Sequence, residues 1–116
     1  MNKPTRWYSS KQEKKVAKAV GGKQTANSGA TTFNKGDVST EQWLIECKTC
    51  TKEQSSFSIK KEWLKKNREE AFAMGKDYNS LCFDFGDDKR YYIIDEKTFK
   101  KLVNYFKENL DASISD

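Results

Sequence analysis

Three residues with the right types and spacing for chemistry sit close together in this chain: Asp37, Glu46 and Lys48. They fall in Lys35-Gly36-Asp37-Val38-Ser39-Thr40-Glu41-Gln42-Trp43-Leu44-Ile45-Glu46-Cys47-Lys48, which reads as a strand, a short polar turn and a second strand. Side chains alternate along a strand with a period of two. Trp43, Ile45 and Cys47 therefore point to one side, and Leu44, Glu46 and Lys48 to the other. The turn can return Asp37 to the neighbourhood of Glu46. Two carboxylates offer a hard divalent cation the oxygen ligands it prefers. A lysine beside them can orient water or stabilise negative charge developing on a phosphate. The stretch is thus expected to form a metal-dependent site acting on phosphodiesters.

The elements that must hold these residues follow from hydrophobic spacing. A helix is expected from Ser9 or Ser10 to about Val20, after a basic, irregular lead over residues 1–8. Ser10-Lys11-Gln12-Glu13 fits a capping box, and Gly21-Gly22 would end the helix. Glu13 shares a face with Val16, Ala17 and Val20, so it reads either as a capping residue or as an acid aimed at the sheet. Thr25-Ala26-Asn27 and Thr31-Thr32-Phe33 are candidate short strands around a Ser28-Gly29 turn. A second helix is expected from Ile59 to about Met74, capped by Ser58 and stopped by Gly75. Its buried stripe would be Ile59, Trp63, Ala71 and Met74, broadened by Leu64 and Phe72. Its first half is basic, with Lys60, Lys61, Lys65, Lys66 and Arg68. Leu81, Phe83 and Phe85 share a face of the next strand, and Gly86 to Lys89 turn the chain into a strand over Tyr91 to Ile94. Asp95 would cap a last helix near Lys97 to Leu110, with Phe99, Leu102, Val103, Phe106 and Leu110 on one side and a frayed tail over 111–116.

The chain has 116 residues, which suits a single domain. A net charge of +5 and a pI near 9.0 suit a polyanionic partner. There is no histidine. That excludes histidine-based nucleases, Ser-His and Cys-His nucleophiles and mixed Cys/His zinc sites. Cys47, Cys50 and Cys82 form an odd set that suits a reducing cytosol. Cys47-Lys48-Thr49-Cys50 leaves a strand instead of opening a helix, so it reads as core and not as a redox pair. No apolar run approaches the ~20 residues that cross a bilayer. A cytoplasmic protein with no membrane partner is expected.

Asp37 followed by Glu46-Cys47-Lys48 resembles the bipartite motif of the PD-(D/E)XK nuclease superfamily, with Gly36 where a proline often stands. The ordered set Glu13, Ser28-Gly29, Asp37, Glu46-Cys47-Lys48 and Ile59-Lys60-Lys61 is most similar to Holliday junction resolvases of the archaeal and phage type, over roughly residues 10–95. The resemblance implies an α/β (α+β) domain of restriction-endonuclease-like topology, a small mixed central sheet flanked by helices. It implies Mg²⁺- or Mn²⁺-dependent cleavage of DNA, four-way junctions above all, by a homodimer in a phage-infected or prokaryotic cytosol. Asp37, Glu46 and Glu13 would hold the metal, and Lys48 would complete the catalytic set. Ser28, Lys35, Lys52, Lys60, Lys61 and Lys65 would contact DNA. The glutamine that many members carry early in the second helix is absent, where Lys60, Lys61 and Glu62 stand. Two other readings stay open: a different nuclease of the superfamily acting on flaps, ends or restriction-like sites, and a non-catalytic nucleic-acid-binding module.

Overall fold

A computed structural model describes residues 5–25 and 37–115, with side chains over 11–25 and 37–110. The order is α1 (Thr5–Val20), β1 (Lys23–Gln24), β2 (Asp37–Ser39), β3 (Trp43–Lys48), α2 (Lys61–Ala73), β4 (Tyr78–Asp84), β5 (Arg90–Ile93) and α3 (Glu96–Ser115). The five strands form one sheet in sequence order. Only β3 and β4 run parallel, the other neighbours being antiparallel. A parallel pair needs a long crossover, and α2 supplies it. The result is the expected α/β domain, a small mixed sheet flanked by helices in a restriction-endonuclease-like arrangement.

The two faces of the sheet are chemically different. Val38, Ile45, Cys47 and Cys82 face α1 and close with Val16 into the aliphatic core, with Trp43 and Ala17 against it. Each fully buried aliphatic side chain there contributes about 1.5–3 kcal/mol. The opposite face carries Asp37, Leu44, Glu46 and Leu81, all buried, and α2 packs over it. Gly21 and Gly75 take positive φ at the ends of α1 and α2, the left-handed turn that lets the chain leave a helix.

The boundaries differ from the sequence expectations in instructive ways. α1 begins at Thr5, so residues 5–8 belong to the helix and Ser10 lies inside it. Glu13 is therefore mid-helix, and the capping-box reading does not apply. α2 starts at Lys61 with Lys60 at its N-cap and no side-chain cap, so Ser58 does not cap it. Phe72 is 86% exposed and Met74 lies beyond the helix end, also exposed, so neither joins the buried stripe. Asp95 does cap α3, its Oδ1 accepting from Thr98 N–H at 2.8 Å. α3 continues to Ser115, through most of the expected frayed tail. Leu102 reaches back towards Val20, Trp43, Tyr92 and Ile94, while Phe99, Val103, Phe106 and Leu110 remain exposed. All three cysteines are buried and free. Among the described residues no helix is long and apolar enough to cross a membrane.

One buried amide ties the far ends of β3 and β4 to α1. Gln12 Nε2 donates to Lys48 C=O at 3.0 Å and to Asp84 Oδ2 at 2.9 Å, and its Oε1 accepts from the Thr49 hydroxyl at 2.7 Å. Gln12→Ala leaves the buried Asp84 oxygen without that donor. The expected cost is about 1–3 kcal/mol, read by urea unfolding.

Candidate metal centre

Asp37 opens β2, and its position is set from both sides. Its main-chain carbonyl accepts from Thr25 N–H at 3.0 Å and from the Thr25 hydroxyl at 3.1 Å. The hairpin to β3 turns on Thr40, whose Oγ1 accepts from Gln42 N–H at 3.2 Å and Trp43 N–H at 2.9 Å. A threonine hydroxyl closing a turn in this way fixes the register of the strands it joins. In that register Asp37 pairs directly with Glu46. A slip by one residue would send one of the two carboxylates to the core side of the sheet. The juxtaposition expected from the spacing of Asp37 and Glu46 is thus present as a cross-strand pair.

A third carboxylate completes the group. Glu70, on α2, comes down over the sheet so that one oxygen from each of Asp37, Glu46 and Glu70 lies within 4.8 Å of the others. Asp37 is 0% exposed, Glu46 7% and Glu70 9%. Among the described residues neither Asp37 oxygen has a hydrogen-bond partner, nor do Glu46 Oε2 and Glu70 Oε1. Buried polar atoms are almost always satisfied, because an unpaired one forfeits its hydration. Three buried carboxylates converging from three elements, with both Asp37 oxygens unbonded among the described residues, form a group capable of coordinating a divalent cation.

The electrostatics agree. Burial, then the charges of Glu46, Glu70 and Glu13, push the Asp37 carboxyl up to about 8, against a smaller opposing pull from Lys66. Burial also raises Glu70, with Lys66 opposing it. Two lysines stand at the margin: Lys48 Nζ is 4.0 Å from Glu46 Oε2, and Lys66 Nζ is 3.7 Å from Glu70 Oε1. The Lys48 ammonium also lies 4.3 Å from the centroid of the Trp63 ring. Attraction of a cation to an aromatic face holds it there. Lys48 is thereby poised between the carboxylates and solvent.

The donor set fits a hard divalent cation. All three candidate ligands are carboxylates, the chain has no imidazole, and Cys47 turns to the other face of the sheet. Oxygen-only donors suit Mg²⁺ or Mn²⁺ rather than softer ions.

The other candidate residues are distributed around this centre. Glu13 is not one of the three clustered carboxylates, although its charge is felt at Asp37 from α1. Lys60, Lys61 and Lys65 are exposed and, with Glu62, line a shallow hollow at the start of α2. Lys52 is exposed on the loop after β3. Ser28 and Lys35 lie outside the described residues.

Sequence spacing did not single out Glu70, yet a signal was present. Trp63, Asn67, Glu70 and Ala71 recur at helical spacing, so Asn67 and Glu70 fill the inner stripe of α2 with polar groups. Asn67 is fully buried, and its Oδ1 accepts from Asn79 Nδ2 at 2.7 Å. Polar residues on a buried face mark a site more sharply than the exposed lysines around them.

Compared with protein-family models, with curated proteins and with solved structures, the chain gives no match.

Proposed function

We propose that the protein is a Mg²⁺- or Mn²⁺-dependent endodeoxyribonuclease selective for branched DNA, four-way junctions above all. The observation that carries the reading is the buried Asp37–Glu46–Glu70 group, in which both Asp37 oxygens lack a partner among the described residues, with Lys48 held at its edge. The resemblance of Asp37…Glu46-Cys47-Lys48 to the PD-(D/E)XK pattern supports the same chemistry.

In this reading Asp37, Glu46 and Glu70 hold the ion, with Glu13 acting on it through water. When bound, the ion polarises the scissile phosphate and lowers the pKa of a water molecule. Lys48, fixed by Glu46 and the Trp63 ring, orients the attacking water and stabilises charge building on the phosphate. Burial of the carboxylates keeps bulk water from screening these interactions. Lys60, Lys61 and Lys65 grip the DNA backbone beside the centre, with Lys52, Ser28 and Lys35 as further contacts. Binding carried by such lysines weakens steeply with salt.

Resolution of a four-way junction needs two symmetric cuts, which a two-fold homodimer provides. The exposed apolar face of α3, with Phe106 65% exposed, supports an interface between two copies. Light scattering is expected to give the mass of a dimer, and Phe106→Glu that of a monomer.

The test follows labelled four-way junction and linear duplex of the same sequence in Mg²⁺. Wild type is expected to introduce paired, symmetric nicks in the junction. Lys48→Ala is expected to slow them by about 10²–10³-fold. Cleavage of the duplex alone would discard the junction, and tight binding without cutting in either metal would discard the nuclease.

A further inference from the structure

On the same face of the sheet as the carboxylates, a run of aromatic rings continues outward from Lys48. Phe83 is the register partner of Lys48 on one side and of Tyr91 on the other. Its ring stacks on Phe57 at 5.1 Å and on Tyr91 at 5.7 Å between centroids, and meets Phe85 edge-on at 5.4 Å. Phe57 in turn reaches Trp63 at 6.4 Å. The loop carrying Phe57 is pinned to the sheet by Gln54 N–H donating to Phe85 C=O at 2.8 Å.

Two features separate this cluster from a second core. None of its rings is fully buried, and Tyr91 on the edge strand is 38% exposed, whereas the aliphatic core on the α1 face is closed. Lysines also stand over both ends: Lys48 and Lys60 over Trp63, at 4.3 and 5.7 Å, and Lys89 over Tyr91 at 5.7 Å. Tyr91 is the exposed ring of this cluster, backed by Phe83 and rimmed by an ammonium group. An accessible aromatic face beside lysines is the composition that takes single-stranded nucleic acid, with a base on the ring and phosphates on the lysines.

We infer that the shelf whose open ring is Tyr91, held in place by Phe83, Phe85 and Phe57, stacks an unpaired base of the strand whose phosphate lies at the carboxylate centre. The inference rests on the nuclease reading and sharpens it. Lys48 touches both the carboxylates and the shelf, so a base on the shelf belongs to a nucleotide close to the cut. The shelf thereby selects DNA in which bases near the scissile phosphate have lost their pairing or stacking partners, as they can at a branch point. A continuous duplex keeps its bases in the stack and offers the shelf nothing to hold.

The experiment measures binding by fluorescence anisotropy without divalent metal, separating the shelf from catalysis. The probes are a labelled single strand, a strand of equal length made of abasic residues, and the corresponding duplex. Wild type is expected to bind the base-bearing strand at least about tenfold tighter than the abasic one. Tyr91→Ala should lose about five- to tenfold on the base-bearing strand and nothing on the abasic one. Tyr91→Trp should restore the affinity, which a merely misfolded edge strand would not allow. Equal affinity of wild type for the two strands, or a loss by Tyr91→Ala on both alike, overturns the inference. The stacking signature without metal-dependent cleavage keeps the shelf and removes the nuclease. Metal-dependent cleavage without the stacking signature keeps the nuclease and removes the shelf.

Discussion

Asp37→Asn is expected to lower metal-dependent cleavage by at least about 10³-fold while making the metal-free protein more stable. The first effect follows because Asp37 lies at the centre of the three carboxylates and supplies two buried oxygens without partners. Even residues that only support a metal ligand cost about 10–100-fold in affinity when changed. The second effect follows because the same carboxylate is buried among like charges. An asparagine at position 37 carries no charge, and its amide N–H groups can donate to the unpaired oxygens of Glu46 and Glu70. A gain on the order of 2 kcal/mol is expected near neutral pH, because asparagine is neutral without the proton that the folded carboxyl must take up. For a chain of this size that raises the melting temperature in EDTA by roughly 5–10 °C. Calorimetry in EDTA, beside a cleavage assay in Mg²⁺, reads both effects. Opposite movement of stability and activity is the signature of a residue kept for function and not for folding.

The second large effect is on pH dependence. The Asp37 carboxyl is raised from 3.8 to about 8 in the folded chain. The folded state therefore binds more protons than the unfolded state between about pH 4 and pH 8. Stability of the metal-free protein falls as pH rises through that window, and levels off above about pH 8. Metal binding has the opposite dependence, since the ion must displace this proton. Below pH 8, apparent Mn²⁺ affinity is expected to rise by about tenfold per pH unit, one proton being released per ion. Thermal melts from pH 5.5 to 9, with and without Mn²⁺, should show the two curves diverging as pH rises. Asp37→Asn should flatten the metal-free curve.

The residues that define the centre differed in how legible they were. Asp37 and Glu46 could be paired because hairpin geometry is local: a short polar turn and a period of two bring them opposite each other. Lys48 followed from the same alternation. Glu70 is joined to them only through the crossover between parallel strands, a relation that depends on how α2 lies on the sheet and not on local spacing. A stripe drawn through apolar residues alone places Phe72 and Met74 inside α2's buried face and passes over Asn67 and Glu70. The buried polar pair was the better guide. At α1, the Ser10-to-Glu13 pattern looked like a helix start, but local capping chemistry does not prevent a helix from running through it. Spacing identifies the apolar side of α3, although Phe99, Val103, Phe106 and Leu110 on that face stay exposed. Periodicity tells which side of a helix is apolar, and not what covers it.

The nuclease chemistry requires a cation at the three carboxylates. Titration of Mn²⁺ into wild type and Asp37→Asn at pH 8, by calorimetry or by loss of the free-ion electron paramagnetic resonance signal, tests it without assuming any substrate. Saturable binding by wild type that is lost or weakened at least about a hundredfold in the variant is the predicted result. Absence of Mn²⁺ binding by wild type, or equal binding by both proteins, would contradict it.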